Sequence, residues 1–393
     1  MSRRYDLDWV RVAAFALLVC YHVGMYYVSW DWHVKSPFAS TALEPLMFLT
    51  APWRLSLLFF IAGVATAFFA ANRPDGFIGA RSWRLLVPLL FGMLVVVTPQ
   101  AYYQVLDSAS GYHDGYLAFW GRYLAGDGSF CDADDCLDLP TWNHLWFVAY
   151  LWVYTLLLWG LRRGLSRPLT AVSVRLQRWG SGAAVLVVPA LFLAAARLLL
   201  VGRFESTHAL VDDWYNHAQY LPLFLLGYAL AKADAVWERI EQLRWPALVI
   251  ALPCYLLLAW YFSAFTDTQP APDWLRMSQR VAWGVNQWAT IVAILGFARR
   301  HLRHDSAALR YLSDAVFPVY ILHQTLIVVL AYNLRPAALP PLLEGPLLVV
   351  ATFMTCFAGY ELIRRVAWLR PLFGLKMRAA SPSLQAVASP ATP

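Results

Sequence analysis

Asp8-Trp-Val-Arg11-Val-Ala-Ala-Phe-Ala-Leu-Leu-Val-Cys-Tyr-His22 is an apolar run with a cation near one end and an imidazole at the other. At about 100° and 1.5 Å per helical residue, His22 returns to within about 20° of Arg11, some 16 Å further along. Charged and ionisable groups inside a bilayer are costly, so each is a candidate functional residue. The stretch therefore predicts a first membrane helix with one polar stripe. Ser2-Arg3-Arg4 imitates an export signal, but Asp6, Asp8 and Arg11 interrupt it and no small-residue cleavage site follows. It reads as a retained helix.

The rest of the chain agrees. Of 393 residues, 60% are hydrophobic, 16% aromatic and only 14% charged, well below the charge of a soluble domain. Apolar segments of about 20 residues, enough to cross a bilayer, fall near 7–29, 46–71, 83–104, 144–162, 183–202, 215–231, 246–265, 281–299, 314–333 and 342–366. The expectation is an all-α, polytopic membrane helix bundle with about ten transmembrane helices, as one domain over 1–378 followed by a disordered cytoplasmic tail, 379–393. Most of the 31 Lys and Arg sit in alternate loops, which predicts that both termini are cytoplasmic. The basic residues do not gather on a soluble module, so the net charge of +7 implies no nucleic-acid partner.

The longest loop, about 105–143, falls on the outer side. It is acidic and carries Tyr112, Tyr116, Phe119, Trp120 and Tyr123, rings suited to stacking on sugars or resting on lipid. Cys131 and Cys136 lie within it. A disulfide is favoured in an oxidising compartment, against a Cys/Asp metal site that mixes soft and hard donors.

Several side chains are placed for chemistry. His22 is either a packed histidine bonded to a neighbouring helix or a general base. Arg11 with Arg81 and Arg84, at the start of the third segment, makes a candidate phosphate-binding mouth, while the positive-inside rule also accounts for arginines there. Asp8 and Arg11 have i, i+3 spacing for an ion pair. Arg54, about two turns into the second segment, either snorkels to the interface or meets an anion inside the bundle. His144, His217 and His323 are scattered histidines without the i, i+4 spacing of a helical zinc pair, and no metal is expected. Asn286 and Gln287 read as interhelical hydrogen-bonding residues. Walker, GxSxG, HExxH and dinucleotide motifs are absent from the sequence.

Taken together, these residues resemble the membrane-bound acyltransferase 3 family, nearest to its glucan biosynthesis protein C branch. The resemblance rests on Leu7-Asp8-Trp-Val-Arg11 with His22, Trp32-His33-Val-Lys35-Ser36, and Arg54 before Phe59-Phe60-Ile-Ala62-Gly63. It continues through Arg81-x-x-Arg84 before Leu85-Leu-Val-Pro88, His144-Leu-Trp-Phe147 and Val319-Tyr320-Ile-Leu-His323-Gln324. Ala62 departs from the pattern, in which Ser commonly precedes the glycine.

The resemblance implies O-acyl transfer from cytoplasmic acyl-CoA, succinyl favoured and acetyl possible, to a hydroxyl of a periplasmic glucan or other glycan. It implies His22 as the key catalytic residue, and Arg11, Arg81 and Arg84 on the donor side. Joining the two readings, Arg54 and His323 are expected beside His22. His144, Trp32, His33, Tyr116 and Trp120 are expected on the acceptor side. Acyl-CoA then acts as substrate with no separate cofactor, in a bacterial inner membrane. The alternative is a secondary transporter of an organic anion or glycan precursor, with His22 as proton relay.

Overall fold

The computed structural model describes residues 3–72, 76–108, 111–131, 136–164, 174–176, 178, 182–266 and 268–377. The tail 379–393, Asp132, Asp134 and Asp135 of the acidic loop, and Arg73, Arg167 and Arg378 lie outside them. Among the described residues the fold is all-α, and extended pairing is confined to two isolated bridges, Cys131 to Cys136 and Thr266 to Gln269.

The main helices are α1 (Tyr5–Tyr27), α2 (Glu44–Phe48), α3 (Arg54–Asn72), α4 (Phe77–Phe91), α5 (Thr98–Asp107), α6 (Tyr116–Leu124) and α7 (Trp146–Gly164). Then follow α8 (Ala184–Leu200), α9 (Trp214–Leu230), α10 (Asp234–Gln242), α11 (Arg244–Ala264), α12 (Asp273–His301), α13 (Ala307–Leu334), α14 (Pro341–Arg365) and the short α15 (Leu369–Leu372). Each predicted segment contains a helix. Among the described residues, eight helical stretches are long and apolar enough to cross a membrane. The fifth and sixth segments, α8 and α9, are 17 residues each. At about 1.5 Å per residue they fall short of a 30 Å hydrocarbon core. By contrast α12 and α13, at 29 and 28 residues, are longer than their apolar runs alone predict.

Close helix contacts depend on missing side chains. A Cβ on Gly63 of α3 would lie 2.0 Å from Phe224 O, and one on Gly227 of α9 would lie 2.1 Å from Phe60 O. Two glycines facing opposite backbones bring α3 and α9 together, as small residues do between membrane helices. Gly284 of α12 makes a similar approach to Ala194 of α8. Asn286 Nδ2 donates to Ala251 O at 2.9 Å, and Gln287 Nε2 to Gln219 Oε1 at 3.1 Å, which supplies the expected interhelical bonds.

The third segment is not one regular helix. Between α4 and α5 the backbone widens into a π-helical turn over Gly92–Val96, where Val97 N–H bonds Gly92 O at 2.8 Å. Gly92 leaves the space that Leu145 Cδ1 fills, 2.3 Å from where a Cβ would stand. The turn frees carbonyls that side chains then satisfy. Trp120 Nε1 donates to Leu94 O at 2.8 Å, the Tyr123 hydroxyl to Met93 O at 2.8 Å, and the Thr325 hydroxyl to Val96 O at 2.6 Å.

Helix α1 touches α3, α12, α13 and α14. Lys35 caps its C-terminal end: Nζ donates to Met25 O (2.8 Å), Trp30 O (2.7 Å) and Val28 O. An ammonium on the last carbonyls satisfies groups that have no intrahelical partner. It also fixes the turn that carries Trp32 and His33 back over the bundle.

Candidate active site

On α1, Arg11, Phe15, Leu18 and His22 follow at i, i+4, i+7 and i+11, a single stripe. Two cavities open along it. One, of about 440 Å³, is lined by Arg11 and Phe15; the other, of about 690 Å³, by Leu18 and His22.

The first cavity is cationic. Arg11, Arg81, Arg84, Arg370 and Lys376 line it with Asp314 as the one carboxylate, above walls of Phe15, Ile61, Ala62 and Phe69. Arg81 is buried, donates to the Thr66 hydroxyl at 3.2 Å, and has no partner on Nε. Arg11 Nη2 contacts Asp8 Oδ1 and Ser313 O, both at 3.4 Å, so the i, i+3 pair forms and leaves the guanidinium on the cavity wall. Sequence reasoning grouped the first three arginines. Arg370 and Lys376 were hidden among loop charges because nothing local ties the end of the chain to α4. A neighbouring hollow beside Arg3, Arg4 and Lys232 shares Arg11, Ile61 and Ala65 with this one and extends the basic surface.

The second cavity holds the histidines. His22 Nδ1 and His323 Nε2 are 2.8 Å apart, and His323 Nδ1 is 2.6 Å from Tyr320 O. A carbonyl only accepts, so His323 carries its proton on Nδ1 and presents a bare Nε2. His22 must then donate from Nδ1, which leaves its own Nε2 as an unprotonated base. Among the described residues that nitrogen has no protein partner, and His22 lines the cavity. His144 stands beside them, its ring 5.1 Å from that of His323, with Nε2 donating to Ile321 O at 3.1 Å.

A polar network from four elements holds this cluster. His33 Nδ1–H donates to Gln104 Oε1 (2.6 Å), and its Nε2 accepts from Gln324 Nε2 (2.9 Å). Gln100 Oε1 accepts from Gln324 (3.0 Å) and Asn143 (3.1 Å), while Gln100 Nε2 donates to the Thr325 hydroxyl (2.7 Å). Burial holds the His33 pKa below its ordinary value and outweighs the bond to Gln104, which acts the other way. Sequence reasoning missed Gln100 and Gln104. Two glutamines at i, i+4 within an apolar segment were the available signal.

Arg54 is buried 4 % exposed in the same cavity, so it does not snorkel. Its guanidinium lies 3.6 Å from the Tyr21 ring centre, Nη1 donates to Thr50 at 3.0 Å, and Nε has no partner. No described carboxylate pairs with it. Trp32 also lines the cavity, its ring 5.2 Å from that of His22.

Tyr116 and Trp120 line neither cavity. They sit on the amphipathic α6, stacked on each other, and Trp120 is bonded to the π-turn. Phe119, Tyr123 and Phe130 form a small core of their own beneath α6. Trp120 and Tyr123 fold the loop onto the bundle through their bonds to the π-turn. The loop's contribution to the cavity is Asp138, Pro140, Thr141, Trp142 and Asn143. Cys131 and Cys136 form a disulfide. His217 is likewise elsewhere, bonded to Tyr154 at 2.9 Å and to Leu210 O at 2.7 Å.

Comparison with known proteins gives this arrangement its context. The chain is 24% identical over 347 residues to the glucans biosynthesis protein C of Escherichia coli O6:K15:H31, covering 83% of this chain and 82% of the relative. It is 23% identical over 343 residues to that of Escherichia coli K12, strain DH10B, and 23% over 349 residues to that of strain ED1a, with the same coverage. No solved structure matches. The acyltransferase domain profile matches residues 4–361, a span that contains both cavities apart from Arg370, Gly374, Leu375 and Lys376. The chain thus belongs to the acyltransferase 3 family and is a membrane acyltransferase.

Proposed function

We propose that the protein moves an acyl group, succinyl in preference to acetyl, from acyl-CoA to a hydroxyl of a periplasmic glycan, in a bacterial inner membrane. The glucans named for its relatives are the favoured acceptor class. Positive charge in alternate loops supports cytoplasmic termini and, with them, a cytoplasmic Arg11 cavity. There the arginines take the donor's phosphates, for which guanidinium forks are suited. The acceptor enters the opposite cavity.

His22 Nε2 removes the acceptor hydroxyl proton as the oxygen attacks the thioester carbonyl. The carbon–sulfur bond then breaks, and the departing thiolate recovers the proton from the imidazolium. His323 keeps His22 in the reactive tautomer throughout. Arg54 faces the developing oxyanion or, with a succinyl donor, the free carboxylate of the acyl group.

The observation that carries this reading is the hydrogen-bond chain from Tyr320 O through His323 to His22, which leaves a bare nitrogen on a cavity wall. The test is mass spectrometry of periplasmic glycans from cells with the native protein or with His22→Ala at equal levels of folded protein. Acyl substitution should vanish in the variant. Undiminished substitution removes His22 from the mechanism, and a native protein that relocates a solute without forming an ester restores the transporter reading.

A further inference from the structure

The two cavities share a boundary. They meet at Leu58 and Phe147, which line both and are 4 % and 8 % exposed. Phe15, from the cationic side, and Tyr320, from the histidine side, close the same level with ring centres 5.5 Å apart. Phe147 lies 6.2 Å from Tyr320. Tyr320 is anchored by its hydroxyl to His144 O.

This apolar level is in register with the polar one. Leu18 precedes His22 by four residues, Leu58 follows Arg54 by four, Phe147 follows His144 by three, and Tyr320 precedes His323 by three. Each is about one turn, or roughly 5 Å, from its polar partner, on the side of the cationic cavity. Three helices, and α7 with the turn that leads into it, thus contribute one apolar and one polar side chain apiece at matched depths.

A donor held by its phosphates at Arg11 must place its carbonyl at His22, some 16 Å further along α1. That span equals about five residues of extended chain, so a slender linker has to cross the apolar level. We infer that Leu58, Phe147 and Tyr320, level with Leu18 and with Phe15 against Tyr320 on the cationic side, form a waist that grips the thiol arm of the donor just behind the thioester. This assignment rests on the proposed acyl-CoA donor. The arm parts the waist and fills it, so the thioester meets the histidines without opening a water path from the cationic cavity. Hydrolysis, in which water replaces the acceptor hydroxyl and yields free acid and thiol, is the side reaction that the waist suppresses.

The inference is tested on purified full-length protein with succinyl-CoA and with 3′-phosphoadenosine 5′-diphosphate, the nucleotide that lacks the arm. Leu58→Trp should retain nucleotide affinity within about twofold and lose transfer to periplasmic glucan by about 100-fold or more. Leu58→Ala and Phe147→Ala should raise acceptor-free succinyl-CoA hydrolysis by about tenfold, and the hydrolysis readout stands even where the Trp variant does not fold. Native-like transfer by Leu58→Trp, or native-like hydrolysis by both folded alanine variants, overturns the waist. If the native protein neither binds the nucleotide nor transfers succinyl, the donor reading fails instead.

Discussion

At the scale of single residues, the proposed reaction uses the histidine pair as its proton acceptor, and among the described residues the pair is joined to a backbone carbonyl and to no carboxylate. His323 takes the orienting place because a backbone carbonyl, Tyr320 O, fixes its tautomer. His323→Ala should lower kcat by about 100-fold or more, while leaving the KM for acyl-CoA nearly unchanged. A rise in KM with intact kcat would instead make His323 a packing residue. His33 gives a second, pH-based expectation. Its pKa is lower folded than unfolded, so the folded state binds fewer protons and stability rises with pH. The contribution is complete above the ordinary value of 6.5 and is lost as pH falls through the lower folded pKa. The melting temperature in detergent should fall between about pH 7.5 and about pH 5.5, and His33→Gln should flatten part of that fall. An equal slope in the variant assigns the effect to other groups. Arg11, His22, Arg54 and His323 were visible from the sequence because each is a costly group in an apolar run. The direction of the histidine chain was not, since it depends on how α1 packs against α13.

Among elements, the segments that carry long apolar runs were legible, and those defined by contact were not. Helix α10 lies outside the apolar runs, yet Val236, Trp237 and Ile240 are buried against the bundle. The aromatic composition of α6 reads equally well as suited to sugar or to lipid, and its docking on the π-turn rests on contacts that no local pattern announces. The α3–α9 contact depends on two glycines whose partners are backbone atoms. Gly63→Ala should therefore destabilise the folded protein by about 1–3 kcal/mol, the usual cost of overpacking, as read from denaturation in detergent. Gly160→Ala in α7, where a Cβ meets open space, should change stability little. Equal effects at both positions would mean that helix flexibility matters and the close approach does not.

For the whole molecule, the two cavities divide the labour of the proposed reaction: charge at one end and hydrogen bonding at the other, with an apolar layer between them. Donor affinity should therefore carry an electrostatic signature. Raising ionic strength from about 0.1 M to about 1 M shortens the screening length from about 10 Å to about 3 Å, and should weaken coenzyme A binding. Arg84→Ala should weaken it about tenfold or more at the lower salt, with a shallower salt dependence, measured by calorimetry. Salt-independent binding would place the phosphates elsewhere.

The π-helical turn at Gly92–Val96 has a consequence for engineering. Its released carbonyls hold Trp120 and Tyr123, and a hydroxyl from α13 takes the third. The loop that supplies Asp138, Thr141 and Trp142 to the histidine cavity therefore hangs from a backbone irregularity. Grafting this loop between relatives to exchange acceptor preference means transplanting the irregular turn in the same cassette. Without it, a regular helix would keep those carbonyls for itself, and the imported loop would have nothing to hang on.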